Sequence, residues 1–333
     1  KTIETILRKK ADNPELVLSD YFDLIGGTSS GSFIAACLAI GMPVNDVVTE
    51  FNYYCDKAFS KRHNWWNPLQ FGKFAKAAYD YNVQEKALKR VFGEIVIGDD
   101  KIKTGLCIIT KRADVNKLWP IYNHPRGKYF DSLYGGYKNM PLWKTVLASS
   151  ASPSYFEPQI IELDDQIKGV FVDGGLSMAN NPALNLMMIS VMNGFPFNWD
   201  VGEDKLTIVS VGTGSTEYNK KINDIYDANV LTWASMIPDM LIQDASRQNQ
   251  TLLQWFSKSP TAKSFDPEIG SLKDENLAGK PLLKYFRYDF LLNKAELLKL
   301  SFGEEITEKL VAGLLMFDNS KNAEILYKIG LSA

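Results

Sequence analysis

The stretch that decides the fold is YFDLIGGTSSGSFIAACLAI, residues 21–40. Residues 21–26 form an apolar run that predicts a buried strand, and residues 32–40 have the small and apolar side chains of a buried helix. Between them lies Gly27-Thr28-Ser29-Ser30-Gly31, which matches the pattern G-x-S-x-G. This order predicts a sharp turn that lifts Ser29 above a sheet. A phosphate-binding loop is excluded, because the motif contains no lysine and does not match G-x-G-x-x-G.

The rest of the chain continues the alternation of strands and helices. The periodicity predicts strands at 106–110, 119–122, 170–173, 206–211 and 285–290, and helices at 2–9, 45–59, 142–150, 182–192 and 231–256, with two more at the C-terminus. This order predicts an α/β fold with a largely parallel sheet. Because no repeat or linker interrupts it, we predict a single domain over residues 1–333.

The composition excludes several classes of protein. The 333 residues contain 37 Lys and Arg against 39 Asp and Glu, whereas a nucleic-acid binder normally has a basic face. Cys37, Cys55 and Cys107 are too scattered for a disulfide framework or a metal site, and they indicate a reducing compartment. No apolar run reaches the roughly 18 residues of a membrane span, and no signal-peptide pattern is present. We therefore expect a cytoplasmic protein without a metal or another cofactor.

The two histidines limit which base can activate Ser29. His63 and His124 both lie early in the chain, so the order Ser…Asp…His of α/β-hydrolases is excluded, because its histidine comes last. His124 lies in a polar turn after a strand and remains a candidate base. The other candidate is Asp173, which ends an apolar strand beside two glycines, at the sheet edge where α/β active sites form.

Five segments of the chain follow one another as in a known family. They are residues 21–31 above, ASSASPSYFEP (148–158), DGG (173–175), NNPA (180–183) and SVGTG (210–214). In this order they resemble the bacterial patatin-like phospholipases. The resemblance extends over about residues 1–215, and YFRY (285–288) and MFDN (316–319) in the tail are similar to bacterial members.

The resemblance implies a fold and a reaction. The fold would be a three-layer α/β/α sandwich with a mostly parallel central sheet, followed by a helical part at 216–333. The family uses a Ser-Asp dyad without histidine, which assigns the nucleophile to Ser29 and the general base to Asp173. The implied reaction is hydrolysis of phospholipid acyl esters through an acyl-enzyme, as in a phospholipase A.

The resemblance also assigns the residues around the dyad. Gly27, Ser30 and Gly31 would form the nucleophile turn, with the Ser30 N–H facing the oxyanion, and Gly174 and Gly175 would complete the D-G-G motif. The family's oxyanion loop, D-G-G-G-x-R-G after the first strand, has no equivalent in residues 1–333. We therefore expect the first strand and this loop to be absent, and a low rate, because each lost oxyanion donor costs about 10²- to 10³-fold.

The expected partners are a phospholipid substrate at the bilayer surface and a second copy of the chain, but no nucleic-acid polymer. Residues 65–71, WWNPLQF, are flanked by Lys61, Arg62 and Lys73 and would suit a bilayer surface, although packing under a loop or against an acyl chain fits them better. The helix at 231–256 is interpreted as a core helix, with a lid or an oligomer interface as alternatives. Some bacterial patatin-like enzymes are anti-phage effectors that a cyclic nucleotide activates. The resemblance therefore implies a cyclic-nucleotide activator as a further partner.

Two other functions remain open. A Ser-His acyltransferase would use Ser29 with His124, as carrier-protein transacylases do, but those enzymes have a histidine where this chain has Thr28. A non-catalytic protein that binds a lipid or a nucleotide on the same fold is the second alternative.

Overall fold

The computed structural model describes residues 1–60, 62, 77–131, 136–162, 168–216, 220–300, 305–316 and 318–332. The chain divides into two compact units, Lys1–Asn198 and Trp199–Ala333, so that SVGTG (210–214) lies in the second unit. His63 and the aromatic segment 65–71 lie outside the described residues. The number of domains stays a prediction, and each unit is described by itself.

The first unit contains a five-stranded sheet and the helices that cover it. Its strands are β1 (Leu24–Thr28), β2 (Gly105–Arg112), β3 (Lys117–Tyr122), β4 (Gln159–Glu162) and β5 (Lys168–Asp173). Its helices are α1 (Thr2–Ala11), α2 (Ser30–Ala39), α3 (Val44–Ala58), α4 (Tyr81–Phe92), α5 (Leu142–Ser149) and α6 (Ala183–Val191), with 3₁₀ turns at Leu18–Asp20 and Gly174–Leu176.

The sheet of the first unit brings two strand ends together on β2. The strand order is β1-β2-β5-β4, and β3 also pairs with β2. β1 runs parallel to β2 and ends with Thr28 opposite Ile109, whereas β5 runs antiparallel to β2 and ends with Asp173 opposite Thr110. The carboxyl ends of β1 and β5 therefore meet head to head beside the middle of β2, opposite the consecutive residues Ile109 and Thr110.

Helices cover both faces of this sheet. Successive side chains of β2 point to opposite faces and therefore pack against different helices. Ile108 packs in a large buried cluster that includes Phe33 of α2. Its neighbour Ile109 packs in a separate cluster that includes Ile189 of α6. Helix, sheet and helix thus form three layers, and the predicted α/β class is confirmed. Parallel pairing is found at β1/β2, while β2/β3, β2/β5 and β4/β5 are antiparallel.

The second unit consists of a small sheet and helices. The parallel sheet has the order β6-β8-β7, from β6 (Thr207–Val211), β7 (Ser257–Lys258) and β8 (Leu283–Tyr288). The helices are α7 (Ile222–Tyr226), α8 (Val230–Phe256), α9 (Lys294–Leu297), α10 (Glu308–Leu314) and α11 (Asn322–Ser332). Apolar side chains of the last three helices pack together in a small core of their own.

The interpretation of residues 231–256 as a core helix is wrong for most of α8. Only Asn249, Leu253 and Gln254 of this helix are buried. In its first turn, Val230 and Leu231 are each 82% exposed. No helix in the described part of the chain is both long enough and apolar enough to span a bilayer.

Candidate active site

The turn between β1 and α2 places Ser29 in an unusual backbone conformation. Ser29 has φ 56° and ψ −127°, a left-handed backbone conformation that residues other than glycine rarely adopt. The turn is tight because β1 continues through Gly27 and Thr28 instead of ending at residue 26 as the apolar run predicts. A Cβ atom on Gly27 would lie 2.0 Å from the Gly31 carbonyl oxygen, so this position requires glycine. A Cβ on Gly31 would meet nothing within 4 Å.

Hydrogen bonds hold the strained turn from both sides. Thr28 Oγ1 donates to the Ala179 carbonyl at 2.7 Å. On the helix side, Ser32 Oγ donates to the Ser29 carbonyl at 2.6 Å, and the Ser32 N–H donates to the same oxygen at 2.9 Å. A non-glycine residue in such a conformation costs about 1–3 kcal/mol. Three bonds of about 1 kcal/mol each are of the size needed to offset that strain.

Ser29 and Asp173 form a direct hydrogen bond. Ser29 Oγ donates to Asp173 Oδ2 at 2.6 Å, and the Gly175 N–H donates to Asp173 Oδ1 at 2.7 Å. The Asp173 residue is only 5% exposed, whereas Ser29 is half-buried and remains open to a substrate. The aspartate is therefore held in one orientation, with one oxygen directed at the hydroxyl.

Burial changes the proton affinity of the aspartate. It raises the pKa of Asp173 from 3.8 to about 6, and the hydrogen bonds from Ser29 and Gly175 counteract part of that rise. The carboxylate is still mostly ionised at neutral pH, but it is a stronger base than a solvated aspartate. This combination suits a general base for a hydroxyl.

Glycine is also required after the aspartate. A Cβ on Gly174 would lie 2.4 Å from the Ile109 carbonyl oxygen, on the same stretch of β2 where the two strand ends meet. The D-G-G motif therefore lets β5 turn away immediately after Asp173 without colliding with β2.

The N-terminus of α2 supplies donors next to Ser29. Ser30 and Gly31 are the first two residues of α2, and N–H groups in the first turn of a helix have no acceptor within the helix. The positive end of the helix dipole adds to them, so this end of α2 suits a developing oxyanion. The N–H of Ser29 itself is used elsewhere, since it donates to Ser149 Oγ at 3.0 Å.

Ser149 is a site residue that sequence reasoning missed. It is the last residue of α5, it is completely buried, and its Oγ donates to the Ile109 carbonyl at 2.7 Å. The only local signal was the run of small residues ASSAS (148–152), which does not reveal which hydroxyl reaches the nucleophile turn.

His124, the alternative base, has other partners. Its Nδ1 accepts the Arg126 N–H at 3.1 Å, and its ring packs edge-on against Phe197 with centroids 4.9 Å apart. Burial and the Arg126 charge lower the pKa of His124. His124 is therefore held in its own turn by Arg126 and Phe197. The hydroxyl of Ser29 donates to Asp173 instead.

The cysteines do not offer another nucleophile or a metal site. Cys37 and Cys107 are buried and Cys55 is half-buried. Burial raises the pKa of all three thiols, and the pKa reaches about 12 for Cys55 and Cys107. Within the described ranges of the chain, no group of three or more His, Cys, Asp or Glu is arranged to hold a metal ion.

Comparison with known proteins identifies the family. The family model "Patatin-like phospholipase" matches residues 10–187, more than half of the chain, and this range contains both Ser29 and Asp173. The chain belongs to the patatin-like phospholipase family. The resemblance seen in the sequence is thereby confirmed.

Curated relatives from bacteria, a protozoan and a plant match the chain. The cGAMP-activated phospholipase of Escherichia coli (strain TW11681) is 30% identical over 223 residues, which are 65% of this chain and 57% of the relative. Patatin-like phospholipase 1 of Plasmodium falciparum (isolate NF54) is 26% identical over 224 residues, 64% of this chain and 32% of the relative. Patatin-1-Kuras 2 of Solanum tuberosum is 22% identical over 324 residues, covering 85% and 82%. The match thus spans less than two thirds of the first two relatives.

Proposed function

We propose that this protein hydrolyses the acyl esters of phospholipids, with Ser29 as the nucleophile and Asp173 as the general base. The observation that supports the proposal most directly is the 2.6 Å hydrogen bond from Ser29 Oγ to the buried Asp173 Oδ2. The family and the names of the phospholipase relatives support a lipid substrate.

The first half of the reaction forms an acyl-enzyme. Ser29 Oγ attacks the ester carbonyl carbon while Asp173 Oδ2 accepts the hydroxyl proton. The N–H groups of Ser30 and Gly31 stabilise the negative charge that develops on the carbonyl oxygen. The carbon–oxygen bond to the glycerol side then breaks, and the leaving alkoxide takes the proton from Asp173. The products are a lysophospholipid and an ester between Ser29 and the fatty acid.

The second half releases the fatty acid. Water attacks the acyl-enzyme and gives its proton to Asp173, and Ser29 Oγ recovers that proton as it leaves. The raised pKa of Asp173 serves both halves, because each of them requires the same carboxylate to hold a proton briefly.

The full-length natural protein, mixed with vesicles of phosphatidylcholine and phosphatidylglycerol, provides the test. We expect it to release fatty acid and to react with a fluorophosphonate at Ser29. Ser29→Ala should abolish both signals, and Asp173→Asn should lower the rate about 10²- to 10⁴-fold. Ser60→Ala and Asp131→Asn change exposed residues outside the site and serve as matched controls. Full activity in either Ser29→Ala or Asp173→Asn would contradict the dyad.

His124→Ala separates hydrolysis by the dyad from the acyltransferase alternative. Because His124 is engaged with Arg126 and Phe197, the variant should keep the rate of the unchanged protein. A loss in His124→Ala together with full activity in Asp173→Asn would instead favour a Ser-His acyltransferase.

The relative that is named for its activation by cGAMP supports a second, regulatory proposal. We propose that a cyclic nucleotide increases fatty acid release by this protein and that the active protein contacts the bilayer peripherally. The rate should rise when cGAMP is added and not when the linear dinucleotide is added. Saturable cGAMP binding without any fatty acid release, in protein whose Ser29 does not label, would support the non-catalytic alternative.

A further inference from the structure

The end of α5 contacts the main chain of both residues that react in the proposed hydrolysis. Ser149 Oγ lies 3.0 Å from the Ser29 nitrogen and 2.7 Å from the Ile109 carbonyl oxygen. Two residues later, the Ala151 carbonyl accepts the Asp173 N–H at 3.0 Å. One short segment, residues 149–151, therefore holds the backbone of the nucleophile and the backbone of the base.

The direction of the two Ser149 hydrogen bonds is unambiguous. A hydroxyl has a single proton and two lone pairs, a carbonyl oxygen can only accept, and a backbone N–H can only donate. The Ser149 proton therefore points at Ile109, and a lone pair accepts the Ser29 N–H. No other arrangement satisfies both backbone groups with this hydroxyl, and Ser149 is fully shielded from water.

This bridge lies at the place where the sheet does not hold Ser29. Parallel pairing of β1 with β2 ends at Thr28 opposite Ile109, so the N–H of Ser29 is the first one beyond the ladder. The hydroxyl of Ser149 replaces the missing strand contact and connects that N–H to the carbonyl of Ile109, the last residue of β2 that pairs with β1. It thereby links the turn, whose φ is 56°, to the sheet that also anchors Asp173.

We propose that Ser149 is a positioning residue, which fixes the backbone of Ser29 so that Oγ is directed at Asp173 Oδ2. The inference rests on the proposed hydrolysis, since positioning has a measurable meaning only if Ser29 reacts. Ser149 is completely buried, and its hydroxyl bonds to the Ser29 nitrogen and the Ile109 carbonyl rather than to the reacting oxygen. Its removal should therefore reduce turnover and leave substrate binding unchanged.

Ser149→Ala is the decisive variant, and Thr145→Val is its matched control. Thr145 lies one turn earlier in α5 and is also fully buried, but its hydroxyl donates to the Pro141 carbonyl at 3.3 Å and touches no dyad residue. Both changes remove one buried hydroxyl from the same helix. Ser149→Thr keeps the hydroxyl and serves as the conservative rescue.

In the full-length protein, Ser149→Ala should lower kcat and the rate of fluorophosphonate labelling about 10- to 100-fold, with KM unchanged. Thr145→Val should keep both rates, and Ser149→Thr should recover most of them. Thermal melts of each variant verify that the assay temperature lies below unfolding. Unchanged kcat in Ser149→Ala, or an equal loss in Thr145→Val, would overturn the positioning role.

Hydrogen exchange separates this inference from the proposed hydrolysis. A peptide that contains Ser29 should exchange faster in Ser149→Ala than in the unchanged protein, and Thr145→Val should leave its exchange rate unaltered. If the unchanged protein released no fatty acid and did not label, the proposed hydrolysis would fall, and the positioning role would fall with it, whatever the exchange result. If the protein is active but exchange at Ser29 does not depend on Ser149, the positioning role alone is wrong.

Discussion

Replacing the buried aspartate should stabilise the protein while it lowers the rate of the proposed reaction. Burial raises the pKa of Asp173 from 3.8 to about 6. At about 1.4 kcal/mol per pKa unit, the ionised carboxylate is about 3 kcal/mol more costly in the folded protein than in the unfolded chain. Asp173→Asn removes that charge, and the new amide can still accept the Gly175 N–H and donate to Ser29 Oγ. We therefore expect the variant to unfold at higher denaturant concentration at pH 8, by up to about 3 kcal/mol.

The pH dependence of this difference gives the sharper test. A raised pKa in the folded state means that the folded protein binds the proton more tightly than the unfolded chain does. The unchanged protein therefore regains stability relative to Asp173→Asn as the pH falls through 6 towards 3.8. The advantage of the variant should be about 3 kcal/mol at pH 8, about half of that at pH 5, and small by pH 4.

Urea unfolding followed by tryptophan fluorescence at pH 8, 6.5 and 5 measures this difference, with Asp131→Asn as the exposed control. The control should give the same difference at all three pH values, because Asp131 is exposed and its ion pair with Lys138 lies at the surface. A variant that is less stable than the unchanged protein at pH 8, or a difference that does not depend on pH, would refute the burial argument.

Three further predictions concern the site and its surroundings. The rate of fatty acid release should fall as the pH drops below about 6, because Asp173 must be ionised to accept the proton; a midpoint near 4 in a pH–rate profile would contradict this. Gly27→Ala should lower the melting temperature and abolish labelling of the site, since its Cβ would lie 2.0 Å from a backbone oxygen, whereas Gly31→Ala should fold as well as the unchanged protein in the same melts. Tyr54→Phe should cost about 1–3 kcal/mol in urea unfolding, because it removes the buried partner of Gln84 Nε2; a loss below about 0.5 kcal/mol would show that this hydrogen bond contributes little.

The local patterns revealed both members of the candidate dyad but not how they meet. G-x-S-x-G after a strand and D-G-G at a strand end are signals within a few residues, and each is visible without any tertiary information. Their approach depends on the register of β1 and β5 along the same edge of β2, where residues 144 apart in sequence come into contact. Pairing between distant strands is not encoded in periodicity.

Other differences from the sequence predictions have equally specific causes. The apolar run predicted that β1 ends at residue 26, yet the strand extends through Gly27 and Thr28. Glycine can take part in the hydrogen bonds between strands although it adds nothing to the apolar pattern. Residues 231–256 were interpreted as a core helix, but burial requires a partner surface, and the sequence of one helix does not supply it. Ser149 was missed because its role depends on two distant backbone groups, the Ser29 N–H that donates to it and the Ile109 carbonyl that accepts from it. The sequence does not show that these groups lie beside it.

The head-to-head meeting of two strand ends on β2 also affects how the protein is made. Ser29 is synthesised 144 residues before Asp173, and the proposed general base reaches it only after β5 has paired with β2. Such long-range pairing is among the slower steps of folding. A ribosome-bound fragment, or a chain truncated before β5, would therefore contain the proposed nucleophile without its proposed base. The proposed hydrolysis would then begin only after β5 has been made, which would spare membranes near the site of synthesis from unfinished chains.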